Sequence, residues 1–336
     1  RRPIARRARS INAVASFALP ISTWFSAAAV LPQLRDAWEL TSTEASWLTV
    51  GVSLGFVVGA VLSATLSLAD MISPRRFILI GAIGAAGANA ALVAVDGLPA
   101  GLALRFAGGF FLAAVYAPAL KATATWFRHE RGLAFGVVVG AIALGSAVPH
   151  LVNGLGGLPW ETTVLATSAI TVVGGLTAEL LGRDGPHHTH PAPFDPRQVP
   201  AALRSRPFRH ASAGYFGHMW ELYAMWAWIA VFLADVIGDG GQSSAASLAA
   251  FAAIGAGALG CTVAGRMGDA RGRARAASIA MRWSGLIAAF IGFLAGWPPL
   301  VVVPLAIVWG FWAVADSAQF STIVTEVADQ RYLGTA

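Results

Sequence analysis

The sequence predicts an all-α polytopic membrane protein, on three observations. Only 12% of the 336 residues are charged and 56% are hydrophobic, where a soluble domain carries about 25% charged residues. Ten apolar runs are each long enough to cross a bilayer, which takes ~20 residues of helix. The basic residues crowd into alternate connections between those runs, as they do when they fix orientation in a membrane.

The runs fall at residues 11–32, 44–66, 77–95, 98–120, 132–153, 161–181, 211–236, 244–265, 276–295 and 299–323. The first follows a basic segment, residues 1–10, with Arg1, Arg2, Arg6, Arg7 and Arg9. It outlasts a signal peptide's apolar core and leads into another span without a clear cleavage site. It therefore reads as an anchor rather than a secretory or twin-arginine export signal. Glycine is abundant, at 37 residues, because small residues let helices approach closely in lipid. Gly136 and Gly140 in the fifth run are spaced for such packing.

Of the 23 basic residues, 21 lie on one side of this arrangement. Arg35 lies on the other side and Arg105 inside the fourth run, while Asp36, Glu39, Asp96 and Asp239 fall in the opposite connections. The basic side, with the N-terminus, is expected to be cytoplasmic. The net charge of +6 thus reflects orientation and does not call for a nucleic-acid partner. Residues 182–210 are polar and Pro-rich, an extended linker. They divide the chain into six spans, residues 11–181, and four, residues 211–336. His187, His188 and His190 lie in this linker without the fixed geometry of a metal site, and no metal is expected.

Two turns suggest an internal duplication. One is Gly265-Arg-Met-Gly-Asp-Ala-Arg-Gly-Arg-Ala-Arg275; the other is Ser67-Leu-Ala-Asp-Met-Ile-Ser-Pro-Arg-Arg76. Asp70 and Asp269 are 199 residues apart, each closing the second run of its half. The second turn resembles the loop signature of the major facilitator superfamily, Gly-x-Leu-Ala-Asp-Arg-x-Gly-Arg-Arg. Gly265, Asp269, Gly272 and Arg273 stand at matching positions. The first turn keeps Leu68, Ala69, Asp70, Arg75 and Arg76, with Met71, Ser73 and Pro74 as departures. The resemblance covers nearly the whole chain. It implies the major-facilitator fold: two six-helix bundles with inverted repeats around a central cavity, rocking against each other. The final residues, Gln330-Arg-Tyr-Leu-Gly-Thr-Ala336, echo Glu130-Arg-Gly-Leu-Ala134 at the start of the fifth run. The expectation is of a second bundle cut after the tenth span, with a natural ten-span protein as the alternative.

Asp70 and Asp269 are placed at cytoplasmic helix ends near Arg75, Arg76, Arg131, Arg271 and Arg273. A network of ion pairs there is expected to form a cytoplasmic gate. Single exposed pairs contribute only ~0–1 kcal/mol, so the network rather than any one pair must bias two states.

Ionisable groups deep in a span are functional candidates by default. Glu221 stands about ten residues into the seventh run, near the midplane at ~1.5 Å per residue. His218, Met225 and Trp228 stand at i−3, i+4 and i+7 from it, on one helical stripe. Burial favours a protonated carboxyl and a nearby cation favours the carboxylate, so alternating those environments couples protons to transport. The competing role for Glu221 is a hydrogen bond to a neighbouring helix. In the tenth run Trp312, Asp316 and Gln319 share a stripe, and Asp316 can serve as a proton or substrate group, cap a break in the helix, or anchor a gate. Trp220, Tyr223, Trp228, Trp309 and Trp312 are candidates to shape a cavity.

Arg105 with Gly109 resembles the superfamily's second signature, Arg-x-x-x-Gly, which implies a role near proton translocation or the substrate path. Arginine stays protonated and acts by binding an anion or tuning a carboxylate; it can also snorkel to the outer surface. The fifth run has Gly136, Gly140, Gly145, Pro149 and His150, with Gly156 and Gly157 beyond it. It matches the exporters' Gly-Pro-x-x-Gly-Gly only in part, which weakens an export reading.

No catalytic constellation, cofactor motif or phosphate-cradling loop is present in the sequence. The lone Cys261 excludes a disulfide framework. The second run holds no Arg and Arg266 only ends the eighth, which disfavours the nitrate porters of the superfamily. The expectation is a monomeric secondary transporter of a bacterial inner membrane, taking up a small organic solute with protons. Proton-driven export is the alternative within this class, and a non-transporting sensor or assembly factor the alternative outside it.

Overall fold

The computed structural model describes residues 19–66, 68–124, 131–155, 158–182, 199–238 and 244–327, and of residues 69, 70, 120, 121, 123, 124, 131, 199, 202 and 325 the backbone only. It holds helices α1 (Ser26–Ala29), α2 (Leu31–Ala37), α3 (Ser42–Thr65), α4 (Leu68–Met71), α5 (Pro74–Ala90), α6 (Leu98–Ala124) and α7 (Arg131–Gly154). It continues with α8 (Trp160–Leu181), α9 (Val199–Arg204), α10 (Arg206–Ile237), α11 (Ser244–Arg271), α12 (Arg273–Ile291), α13 (Pro299–Ala315) and α14 (Ser317–Val327). No strand occurs among the described residues. Nine segments there are long and apolar enough to cross a membrane, and they coincide with the second to tenth runs of the sequence.

The first run behaves differently. Its residues 11–18 lie outside the described residues, and the rest is broken into a tight turn at Leu19–Ile21 followed by α1 and α2. Residues 22–24 therefore lie outside any helix, and the Thr23 and Trp24 carbonyls are open to side-chain donors. Elsewhere the helix ends follow local chemistry. Thr41 opens α3 with a capping box: its hydroxyl accepts from the Glu44 amide at 3.3 Å, and the Glu44 carboxylate accepts from the Thr41 amide at 2.9 Å. Such reciprocal bonds satisfy donors that a helix start leaves free. Proline stands first or second in α5, α10 and α13, where its missing N–H does no harm.

Within the first half of the chain α6 packs on α3 and α5, and α5 on α8. Within the second, α11 and α12 pack on α13. The most extensive helix pair crosses between them: α7 lies along α11. Several close backbone contacts require glycine, among them those at Gly109 and Gly136. A Cβ on Gly109 would overlap the Val52 carbonyl of α3, and a Cβ on Gly136 would overlap the Cys261 carbonyl of α11. Backbones this close gain dispersion contacts that no bulkier residue permits. At the far end of the same pair the Asn153 amide donates to Ser247 Oγ at 2.8 Å and to the Ala29 carbonyl at 3.0 Å. Gly140 lies against Ala258, and Pro149 sits inside α7, which stays one helix.

Candidate functional site

A cavity of ≈ 620 Å³ lies between the two groups of helices. Its walls come from the broken first run (Ile21, Trp24, Phe25), α3 (Ser46 to Val57), Tyr116 of α6, α7 (Val139, Ile142, Ser146) and α10 (Tyr215 to Trp228), with Val314 and Ser317 closing it. None of these lining residues is Asp, Glu, Lys, Arg or His. The aromatic rings form a continuous cluster. Trp24 lies 4.7 Å from Phe56 and stacks on Tyr223 at 5.6 Å, while Phe25 meets Trp226 edge-on at 5.4 Å. Offset and edge-on pairs of this kind are the favoured aromatic arrangements.

Directly behind one wall lies a buried histidine–carboxylate pair. His218 of α10 and Asp316, between α13 and α14, are each 1% exposed. His218 Nδ1 stands 2.8 Å from Asp316 Oδ1, and His218 Nε2 stands 2.7 Å from Ser317 Oγ. The tenth run is interrupted at Asp316, and the turn there sets the carboxylate and the next residue's hydroxyl on the two nitrogens of one ring. Tyr215 and Phe320 flank that ring, at 6.1 and 5.8 Å between centroids. Ser317 is the member that reaches the cavity. One turn on, Ser321 Oγ lies 3.0 Å from the Tyr215 hydroxyl.

The other candidates of the seventh and tenth runs separate into distinct surroundings. Glu221 turns away from the cavity, accepting from Trp309 Nε1 at 2.8 Å and from Ser284 Oγ at 3.0 Å. Met225 is buried, while Trp220, Tyr223 and Trp228 line the cavity. Trp312 stacks on Trp283 at 6.5 Å, outside the cavity wall. Gln319 is fully buried and donates to the Ala264 carbonyl at 3.2 Å, binding α14 to α11. The stripe containing Glu221 thus divides because its residues meet different neighbours.

Arg105 does not snorkel: it is 3% exposed. It donates to the Leu48 and Thr23 carbonyls at 3.1 Å each, to Ser26 Oγ at 3.4 Å, and to the Trp24 carbonyl. Its guanidinium therefore fills the break in the first run, and no carboxylate is among these partners. Asn89 joins the same network through Ser26, Ser168 and the Val164 carbonyl.

At the basic end Asp269 crosses between the halves. Its two carboxylate oxygens accept from the Gly132 and Leu133 amides at 3.1 and 2.9 Å. These amides belong to the first turn of α7, where N–H groups lack helical partners and the dipole favours an anion. Arg273 lies 3.6 Å from Asp269 and 2.7 Å from Glu326. Arg75 donates instead to the Gly182 carbonyl at 3.1 Å, at the end of α8, within its own half. Arg76 and Arg271 are exposed. The side chains of Asp70 and Arg131 lie outside the described residues. His187, His188 and His190 do too.

Ser317, Tyr116, Tyr215, Trp24 and Phe56 carry no signal that sequence reasoning used. Ser317 follows Asp316 directly, and a helix break at the aspartate was the clue that a hydroxyl beside it could share its partner.

Membrane-spanning helices around a central cavity, with buried charge behind its wall, define the architecture of a membrane carrier. The Major Facilitator Superfamily profile matches residues 13–336, so this chain belongs to that superfamily of non-enzymatic transporters. A solved structure titled as a bacterial homologue of the human lysosomal transporter Spinster, inward-facing and unoccupied, has the same fold. The TM-score is 0.68 at 16% identity, covering 98% of this chain and 77% of that one. None of the curated proteins matches this chain.

Proposed function

We propose that this chain works as a proton-coupled secondary carrier of a small organic solute, with residues 11–181 and 211–336 as its two moving halves. The observation that carries the proposal is the His218–Asp316 pair, buried yet ending on a hydroxyl at the cavity wall. A histidine–carboxylate pair holds one proton or two, and histidine is the side chain that exchanges a proton most readily near neutral pH. The apolar cavity holds the solute while the halves rearrange around it. Glu221 supports the second half by its bonds to Ser284 and Trp309.

The basic end is cytoplasmic in this reading, by the distribution of Arg and Lys. Asp269 on the α7 N-terminus is the cytoplasmic latch, and opening that face requires its release. Uptake by symport is the direction of this reading, and proton-driven export is the alternative.

The test is proton flux in proteoliposomes of the full-length protein, driven by a panel of organic acids, amines and neutral drugs. Flux that appears with one solute class and vanishes in Asp316→Asn supports the coupled carrier. Flux unchanged in Asp316→Asn and in His218→Gln would remove the pair from coupling. Folded protein with no flux for any solute would favour the sensor reading.

A further inference from the structure

Helix α12 carries an arginine well inside a membrane-spanning segment, exposed on the helix surface. We infer that Arg282, with Arg275 two turns nearer the basic end, holds the phosphate of an anionic phospholipid against this helix. The inference does not depend on the coupled-carrier reading above.

The depth of Arg282 follows from the chain. Arg273 opens α12. Its guanidinium meets Asp269 and Glu326 at 3.6 and 2.7 Å, which places it in the polar cluster of the basic end. Arg282 stands nine residues on, ~13.5 Å deeper at ~1.5 Å per residue, within a segment that spans Arg273–Leu294. Beside and beyond it Trp283, Leu286 and Phe290 are about half exposed, a surface for lipid tails. A cation among hydrocarbon is costly unless it reaches water or meets a counter-charge. Helical side chains tilt toward the helix N-terminus, which for α12 is the basic end. Arg282 therefore leans toward the nearer headgroups. Arg275, seven residues back, shares its face and is exposed as well.

The duplication identifies this side of α12. At the 199-residue offset of Asp70 and Asp269, α5 and α12 bury corresponding residues: Ile78, Gly81 and Ala85 in one, Ala277, Ala280 and Ser284 in the other. Their exposed residues correspond too: Arg76, Ile83 and Gly87 with Arg275, Arg282 and Leu286. Helix α8 packs on a different side of α5, with Gly175 against Ala82 and the Val164 carbonyl accepting from Asn89. Ile83 remains 52% exposed beside it. Arg282 thus stands where the first half shows an aliphatic residue to lipid. The packing of α12 does not call for a charge there.

The described residues supply no counter-charge. Helix α12 contains no Asp or Glu. Asp269 is held by the α7 amides and Arg273, Glu326 by Arg273, and Glu221 by Ser284 and Trp309. Neither Arg275 nor Arg282 makes a hydrogen bond or ion pair among the described residues. An anionic phospholipid supplies what is missing. Its phosphate matches the planar donors of a guanidinium, and its tails run on past Trp283, Leu286 and Phe290. A phosphate drawn inward to Arg282 lies between two cations, whereas the corresponding place in the first half offers only Arg76. A zwitterionic lipid fits less well, because its ammonium group brings a second cation to Arg275.

Native mass spectrometry of the purified full-length protein in a nonionic detergent tests the site. The protein is titrated separately with dioleoylphosphatidylglycerol, dioleoylphosphatidylcholine and glycerol 3-phosphate. The parent is expected to retain a first phosphatidylglycerol about fivefold more tightly than phosphatidylcholine, the increment that one basic residue gives near an anionic lipid surface. It is expected to retain no glycerol 3-phosphate, which lacks the tails. Arg282→Leu should abolish the preference between the lipids while the lipid-free protein melts with the parent, because the side chain has no protein partner to lose. Arg282→Lys should keep the preference, and so should Arg76→Gln in the first half. Equal retention of both lipids by the parent, a preference that survives Arg282→Leu, or one lost equally in Arg76→Gln would overturn the inference. Glycerol 3-phosphate held as tightly as phosphatidylglycerol would assign the arginines to a soluble anion. A parent dimer that Arg282→Leu dissolves would assign the face to a second copy of the chain. Either result removes the lipid site.

Discussion

Each half of this protein buries ionisable groups near the membrane interior, and the two halves hold them in opposite ways. In the first half Arg105 is surrounded by carbonyls and one hydroxyl from a broken segment. These partners have one protonation state, and so does arginine; the site is fixed. In the second half Asp316 faces His218, whose other nitrogen meets a hydroxyl on the cavity wall. All three members of that chain can redistribute hydrogens. The difference teaches that burial alone does not mark a coupling site. What matters is whether the partners can exchange a proton and whether one of them touches the cavity.

This comparison can be broken at its rigid side first. Arg105→Leu removes the guanidinium's bonds to the Leu48, Thr23 and Trp24 carbonyls, and buried hydrogen bonds lost in this way are destabilising by about 1–3 kcal/mol each. Thermal unfolding in detergent is expected to show a loss of about 3 kcal/mol or more. Near-native stability would mean that Arg105 does not brace the first run. On the titratable side Asp316→Asn should behave in the opposite manner. It is expected to melt close to the parent protein while solute-driven proton flux falls by roughly 100-fold, the lower range for losing a positioned acid–base group.

Smaller effects sharpen the contrast. Asp269→Asn weakens the anion at the α7 N-terminus, worth about 1 kcal/mol in a partly buried setting. Labelling of a Val139→Cys cavity thiol from the basic side is expected to quicken about fivefold, the same free energy expressed as a population shift. An unchanged rate would remove Asp269 from gating. Glu221→Gln keeps an acceptor for Trp309 Nε1, so flux should stay within about twofold and stability within ~1 kcal/mol. A large loss of flux in Glu221→Gln would return the coupling role to the seventh run's carboxylate.

Much of the architecture was legible because hydropathy is a local property. Nine of the ten runs appear as spanning helices, since a backbone in lipid must satisfy its own hydrogen bonds. Asp269 at the basic end was legible as well, through its paired turn. The first run reads as a plain anchor, yet it is broken: Pro20 stands in its turn and opposes a continuous helix, while the Arg105 guanidinium, which no local pattern foretells, takes the Thr23 and Trp24 carbonyls. The Glu221 stripe was read as one surface, yet its members meet Ser284, Asp316 and the cavity separately. Periodicity gives the direction of a side chain from its own axis but not the helix that stands there.

The sequence by itself determined the membrane class, the number of described spans after the first, and the family, because apolar length, charge asymmetry and turn motifs are read residue by residue. Tertiary structure decided which partners each buried polar side chain meets. Arg105 meets Leu48, and His218 meets Asp316, across 57 and 98 residues of chain. Such partnerships depend on helix rotation and on one turn at Asp316, neither of which apolar periodicity specifies.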